Sequence, residues 1–354
     1  MEHHSRKCFK CGKEGHIKKQ CPEFKSQLNK KATVKCFSCG RHGHISRECP
    51  GEAPGNSASS NDGNVSSRSA ASSESFSCSN PTFPVSTVNF IDSHCHMDYV
   101  FERYRHRESF QKFRTANGFP DTFAGCITTF CDPAAFSSLG ICEEILQDDK
   151  VWGTFGFHPH NAKYYNDQLE ERLIERLAHP KAVALGEIGL DYSVRSQSDP
   201  EVQMQVFTRQ VRLAESMAKP LVIHCREAEN DVFDVLSSIL PKTWKIHLHC
   251  YTGSYELATK FLNHFPNLYL GITGIVTFSN ATQVKEVVFD APIEKLVLET
   301  DAPYLVPNSV GKTRKWSHPG MIPLIAEEVA KIKKIDLDTV LEHALQNTKN
   351  IYGI

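Results

Sequence analysis

Residues 88–96 read VNFIDSHCH, an apolar run that ends in two histidines one residue apart. On a strand, residues i and i+2 share a face, so His94 and His96 point to the same side, with Asp92 beneath them. Three later stretches follow the same plan: AVALGEIGLD at 182–191, PLVIHCR at 220–226, and KLVLET at 295–300 followed by Asp301. Each is an apolar run that gives way to a loop at a metal-ligand side chain. Four more candidate strands complete the set: GCITTFC (125–131), VWGTFGFHP (151–159), KIHLHC (245–250) and LYLGIT (268–273). Between them lie segments such as DQLEERLIERLAH (167–179) and EVQMQVFTRQVRLAESMA (201–218), whose apolar residues recur at helical spacing. Eight strand–helix units in residues 88–354 match a (β/α)8 TIM-like barrel. An open doubly wound sheet would carry a Gly-rich phosphate loop after its first strand, where this chain has HCHMD.

The rest of the chain is organised differently. CFKCGKEGHIKKQC (8–21) and CFSCGRHGHISREC (36–49) are repeats with the spacing C-x2-C-x4-H-x4-C. Cys8, Cys11, His16 and Cys21, and then Cys36, Cys39, His44 and Cys49, each supply three thiolates and one imidazole. Such a set closes a tetrahedral structural Zn2+ site, which in so short a unit largely replaces a hydrophobic core. Residues 51–87 are mostly Ser, Gly, Asn and Ala and read as a flexible linker. The expected organisation is therefore two zinc units within 1–50, a linker over 51–87 and a barrel over 88–354.

Charge separates the same parts. The 354 residues carry a net charge of -1, but residues 1–50 hold 12 Lys or Arg against 4 Asp or Glu. That leaves the remainder at -9, and a basic front suits a polyanionic partner. The 13 cysteines do not imply secretion, because the N-terminus MEHHSRKCFK has no apolar run of signal-peptide type. No stretch approaches bilayer length. The expectation is an intracellular protein of the nucleus or cytoplasm, not associated with membrane, with thiols outside the zinc units buried or free.

The two N-terminal units resemble zinc knuckles of the retroviral nucleocapsid type. In that family an aromatic after the first Cys and an aliphatic after the His form a platform for an unpaired base. Phe9 with Ile17, and Phe37 with Ile45, occupy those positions. Stacking of a base on an aromatic contributes about 1–3 kcal/mol, and the flanking lysines attract phosphate. Single-stranded DNA or RNA is the expected partner, with a protein partner as the other reading.

Within the barrel, Glu187, His224, His249 and Asp301 fall at the ends of later strands and join His94 and His96 as candidate ligands. Packing alone explains such a set poorly, since buried charge is costly. His247 lies deeper on the strand of His249 and reads as a core or supporting histidine. Asp191 reads as either supporting or substrate-facing. Cys95, Cys225 and Cys250 sit beside ligands but are expected to turn toward the helix layer.

Together, DSHCHMD, FGFHPH, GEIGLDY, VIHCRE, HCYTGS and ETDAPY resemble the TatD-type metal-dependent deoxyribonucleases, a branch of the amidohydrolase-like barrels. The resemblance covers residues 88–354; the knuckles are not part of the common pattern. It implies two divalent ions, Zn2+, Mn2+ or Mg2+, one held by His94, His96 and Asp301, the other by His224 and His249, with Glu187 bridging both. It places His158 on the scissile phosphate or its nucleotide, with His160 assisting; otherwise this His-Pro-His shapes a loop. The implied catalytic residues are Glu187, Asp301 and His158, in phosphodiester hydrolysis of DNA, or of RNA, from a single-stranded 3′ end. Two other functions fit parts of the pattern: a metal hydrolase of a lactone, amide or small phosphoester, and a non-catalytic RNA-binding adaptor.

Overall fold

A computed structural model describes residues 81–354 apart from Ser138. The knuckles, and the linker as far as residue 80, lie outside the described residues. Eight strands run in chain order: β1 (Phe90–Cys95), β2 (Phe123–Phe130), β3 (Val151–Phe155), β4 (Ala182–Asp191), β5 (Leu221–Arg226), β6 (Ile246–His249), β7 (Leu268–Ile272) and β8 (Leu296–Leu298). Every sequential pair is parallel, and the spatial order β1 to β8 is the chain order. Helices alternate with the strands, which gives the expected barrel. No helix among the described residues is long and apolar enough to cross a membrane.

Local chemistry sets the helix starts. Asp199 accepts from the Glu201 amide ahead of the helix Pro200–Ser216, where Pro200 gives up no donor. Asn166, Ser254 and Asp336 accept in the same way at the helices Asp167–Leu177, Tyr255–His264 and Leu337–Tyr352. The segment 99–122, longer than a simple strand-to-strand link requires, contains the end of the helix Met97–Tyr104 and the helix Phe110–Ala116.

Strand alternation sorts the side chains. On β5 and β6, Leu221, Ile223, Ile246 and Leu248 enter the large cluster between strands and helices. Val222, with Ile91, Ile127, Ala184, Tyr269 and Val297, forms a second cluster with Ile351 and Tyr352 of the last helix. β4 interrupts the rule: its register with β5 shifts between Leu185 and Ile188. Single contacts join β8 to β1. The Ser93 hydroxyl donates to the Leu298 carbonyl (2.9 Å), the Thr300 amide and hydroxyl donate to Asp92 (3.0 and 2.5 Å), and the Asp301 amide donates to the His94 carbonyl (3.0 Å). The seam of the barrel is thus formed by the residues that lead into the candidate ligands.

Gly189 on β4 has φ 149°, and a Cβ there would lie 1.8 Å from the His224 carbonyl oxygen of β5. Gly189→Ala must push β4 from β5 or strain the backbone, and we expect it to cost about 3 kcal/mol or more. Urea unfolding checks this; wild-type stability would show that the two strands do not approach so closely.

Candidate metal centre

The ends of β1, β3, β4, β5, β6 and β8 bring their polar side chains to one place. Glu187 is almost wholly buried, and its two oxygens face different imidazoles. Oε2 lies 3.6 Å from His94 Nε2 and 3.7 Å from His96 Nε2. Oε1 lies 2.8 Å from His224 Nδ1, 3.4 Å from His158 Nε2 and 3.8 Å from His249 Nε2. Asp301 Oδ1 completes the first group at 3.8 Å from His94 and 3.4 Å from His96, and is 3.9 Å from His249. The His94 and His96 nitrogens are 3.2 Å apart.

These separations test whether a cation fits. Nitrogen and oxygen donors about 2.0–2.2 Å from one ion stand about 3–3.6 Å apart. The group of His94, His96, Glu187 and Asp301 spans 3.2–3.8 Å between facing donors, so a contraction of a few tenths of an ångström would make it a coordination shell. On the other side, His158, Glu187 and His224 form a tight triad, and His249 groups with His94 and Glu187. His158 is thus nearer to His224 than His249 is, in a position where it was expected to meet substrate. The donor set fits divalent metal.

Electrostatics agree. Burial disfavours charge on Glu187, but His158 and His249, with hydrogen bonds from His158 and His224, hold its carboxyl well below the usual range. Burial lowers His94, helped by His249. Burial also opposes charge on His96, His224 and His249, yet each is raised: His96 by Asp301 and Cys131, His224 by Asp191 and Glu187, His249 to about 9 by Glu299 and Glu187. His158 is carried down to about 4 by burial. Its Nδ1 accepts from the His160 amide (3.2 Å), so the neutral ring keeps its proton on Nε2, which faces Glu187.

Supporting residues complete the shell. Asp191 Oδ2 is 2.8 Å from His160 Nε2 and 3.3 Å from His224 Nε2, so it braces both rings, and His160 acts through it rather than on Glu187. His247 is fully buried, with Nε2 2.8 Å from Glu299 Oε2 and Nδ1 2.7 Å from the Tyr352 hydroxyl. It supports the centre from below. Cys95 joins the core and Cys225 packs against it, as expected. Cys250 does not. Its φ is 45°, which breaks the strand alternation after His249, and it groups with His249 and Asp301 instead of entering the helix layer.

Several functional positions had no clear mark in the sequence. Cys131 at the end of β2 groups with His96 and Glu187, its Sγ 3.9 Å from Glu187 Oε2. Glu299 is buried between His247 and His249, with Oε1 3.0 Å from His249 Nδ1. Its place two residues before Asp301 was the available signal. Gln203 and Gln210 are buried on the helix Pro200–Ser216; the first bonds the Asp191 amide and the second the Phe157 amide and carbonyl. They hold the loops of Asp191 and His158.

An eight-stranded, nearly closed parallel barrel with imidazoles and carboxylates converging at its strand ends defines a metal-dependent hydrolase scaffold. The chain belongs to the TatD related DNase family, whose profile matches residues 91–353. A zinc knuckle profile matches residues 6–23 and 34–50. Over 268 residues the chain is 42% identical to the human 3'-5' RNA nuclease TATDN2, covering 75% of this chain but 35% of that protein. It therefore spans about a third of that relative. It is 34% identical over 211 residues to the 3'-5' ssDNA/RNA exonuclease TatD of Escherichia coli K12, covering 59% of this chain and 80% of that one. Among solved structures, the TatD homolog YjjV from E. coli K12 superposes with a TM-score of 0.64 at 25% identity, covering 75% of this chain and 98% of that one.

Two outcomes follow from the geometry. Glu299→Gln removes the charge behind His249, and we expect Mn2+ affinity, measured by calorimetry, to fall about 10–100-fold. Unchanged affinity would mean that Glu299 does not orient the ring. Because His96, His224 and His249 are held above their ordinary range, protons compete with metal near neutrality. Affinity should rise with pH from 6 toward 9, with proton release on binding. A flat profile would contradict the assigned ligands.

Proposed function

We propose that this chain is a divalent-metal-dependent nuclease that hydrolyses phosphodiester bonds in single-stranded DNA or RNA from the 3′ end. The observation that carries this reading is the Glu187 carboxylate, whose two oxygens face separate imidazole groups. That arrangement suits a bridge between two cations, one on His94, His96 and Asp301, the other on His224 and His249. Ions held by these residues would supply Lewis acidity toward the phosphoryl oxygens and the attacking water. Imidazole-rich ligation favours Zn2+ or Mn2+ over Mg2+. Relatives whose names specify a 3'-5' RNA nuclease and a 3'-5' ssDNA/RNA exonuclease support the polarity and substrate class.

The protein side chains have distinct tasks. Asp301 is the most open carboxylate of the group, at 15% exposure, and accepts the proton of the attacking water at an Oδ atom. Water adds to phosphorus and the bond to the 3′ oxygen breaks. That oxygen takes up a proton, returned from Asp301 through solvent, to become the new terminal hydroxyl as a 5′-nucleotide is released. His158 Nε2–H lies beside Glu187, where it can donate a hydrogen bond to a phosphate or to the departing 3′ oxygen. Asp191, Gln203 and Gln210 keep the neighbouring rings and loops in position.

The knuckles serve as a basic strand-binding module, with Phe9, Ile17, Phe37 and Ile45 as the stacking platforms. Their structural zinc and thiolate ligands suit a reducing compartment, the cytosol or nucleus. Tethering them to an acidic barrel raises the local substrate concentration.

Labelled single-stranded DNA and RNA incubated with Mg2+, Mn2+ or Zn2+ give the direct test. Glu187→Ala should lower cleavage at least about 10³-fold while the protein stays folded. Turnover that survives the substitution, or turnover confined to small esters and lactones, refutes the nuclease mechanism. Removing residues 1–50 should weaken strand affinity and flatten its salt dependence. If both stay as in the full chain, the knuckles have a different partner.

A further inference from the structure

Residues 51–354 sum to -9, yet two segments of this part of the chain are rich in cations. ERYRHRE at 102–108 and GKTRKW at 311–316 together contain six Arg or Lys against two Glu. The first segment ends the helix Met97–Tyr104, which starts directly after His96. The second lies in the loop that follows Asp301. More than 200 positions apart in the chain, they meet in the fold. The Tyr104 hydroxyl donates to the Trp316 carbonyl (2.9 Å). The Arg103 guanidinium lies over the Trp316 ring, 5.4 Å from its centroid, and the Lys315 ammonium is 5.1 Å away. The Ser317 amide donates to the Pro303 carbonyl (3.0 Å), which returns the loop to within two residues of Asp301.

Trp316 is half-buried and belongs to neither hydrophobic cluster, while Arg103 and Lys315 are exposed. A large aromatic that does not serve the core, on the loop that follows Asp301 and flanked by two cations, has the composition of a stacking site for an unpaired base. The 3.8 Å contact of Arg103 with Glu102 is solvent-exposed and leaves the guanidinium available at little cost.

We propose that Trp316, with Arg103 and Lys315, is a strand-binding subsite of the barrel: the indole stacks an unpaired base and the two cations hold its flanking phosphates. It rests on the nuclease reading and names the surface that guides the strand to Asp301. An acidic catalytic domain thus carries its own nucleic-acid contact, separate from the knuckles.

Fluorescence anisotropy of the full chain with a phosphorothioate oligothymidylate, which keeps its charge and resists cleavage, reads binding apart from turnover. Trp316→Leu should weaken affinity about tenfold, and Trp316→Phe should restore it to within about threefold of wild type. Arg103→Ala with Lys315→Ala should reduce the slope of log affinity against log salt by about 1.4, two phosphates at about 0.7 each. Wild-type affinity and slope in these variants would overturn the proposal. So would equal displacement of the strand by poly-glutamate with the same dependence on Trp316, which would make the patch a site for an acidic protein. If these binding effects appear but no oligonucleotide is cleaved, the subsite stands and the nuclease reading alone fails.

Discussion

One buried carboxylate organises the mouth of this barrel. Glu187 would cost several kcal/mol as an isolated interior anion, and five imidazoles surround it within 3.8 Å. Each imidazole is also engaged from behind. His94 Nδ1 meets the Thr129 hydroxyl at 3.3 Å, and His96 Nδ1 meets the Thr129 carbonyl at 3.1 Å. His158 Nδ1 accepts from the His160 amide, His224 Nε2 meets Asp191, and His249 Nδ1 meets Glu299. With one nitrogen occupied, each ring turns the other inward. The rings cannot rotate away without breaking a buried or half-buried contact, so the donors are held in position by the protein itself.

The same residues close the barrel. Asp92 accepts from Thr300, and burial raises its carboxyl well above the usual range although those hydrogen bonds oppose the shift. The Asp301 amide bonds the His94 carbonyl, and the His96 amide bonds the Ala302 carbonyl (2.8 Å). Closing β1 on β8 therefore sets the distance between the two histidines of one strand and the aspartate of the other. Asp301 has φ 51°, a left-handed backbone that costs about 1–2 kcal/mol in a non-glycine residue and is sustained by these contacts.

Much of this was legible in the chain. The eight apolar runs, the spacing of His94 and His96, and the ligand at the end of each of several strands are local patterns. Pleating makes alternate residues share a face, so Asp92 with His94 and His96, and His247 with His249, could be assigned to one side of their strands from the sequence. Other features could not be read this way. Glu187 reaches the interior across a register shift in β4. Cys250 departs from alternation through a single positive φ. Cys131, Gln203 and Gln210 looked like ordinary strand-end or helix residues until the neighbouring elements surrounded them.

By itself the sequence determined the strand count, the barrel, the two zinc knuckles and the candidate ligands at the strand ends, because periodicity and ligand spacing arise from backbone geometry over a few residues. Only the tertiary structure decided which nitrogen faces which oxygen, which supporting group locks each ring, and that Arg103 meets Trp316. Those outcomes depend on bulges, positive φ values and contacts between residues up to 200 or so positions apart, where the chain is directed by packing and closure rather than by its nearest neighbours.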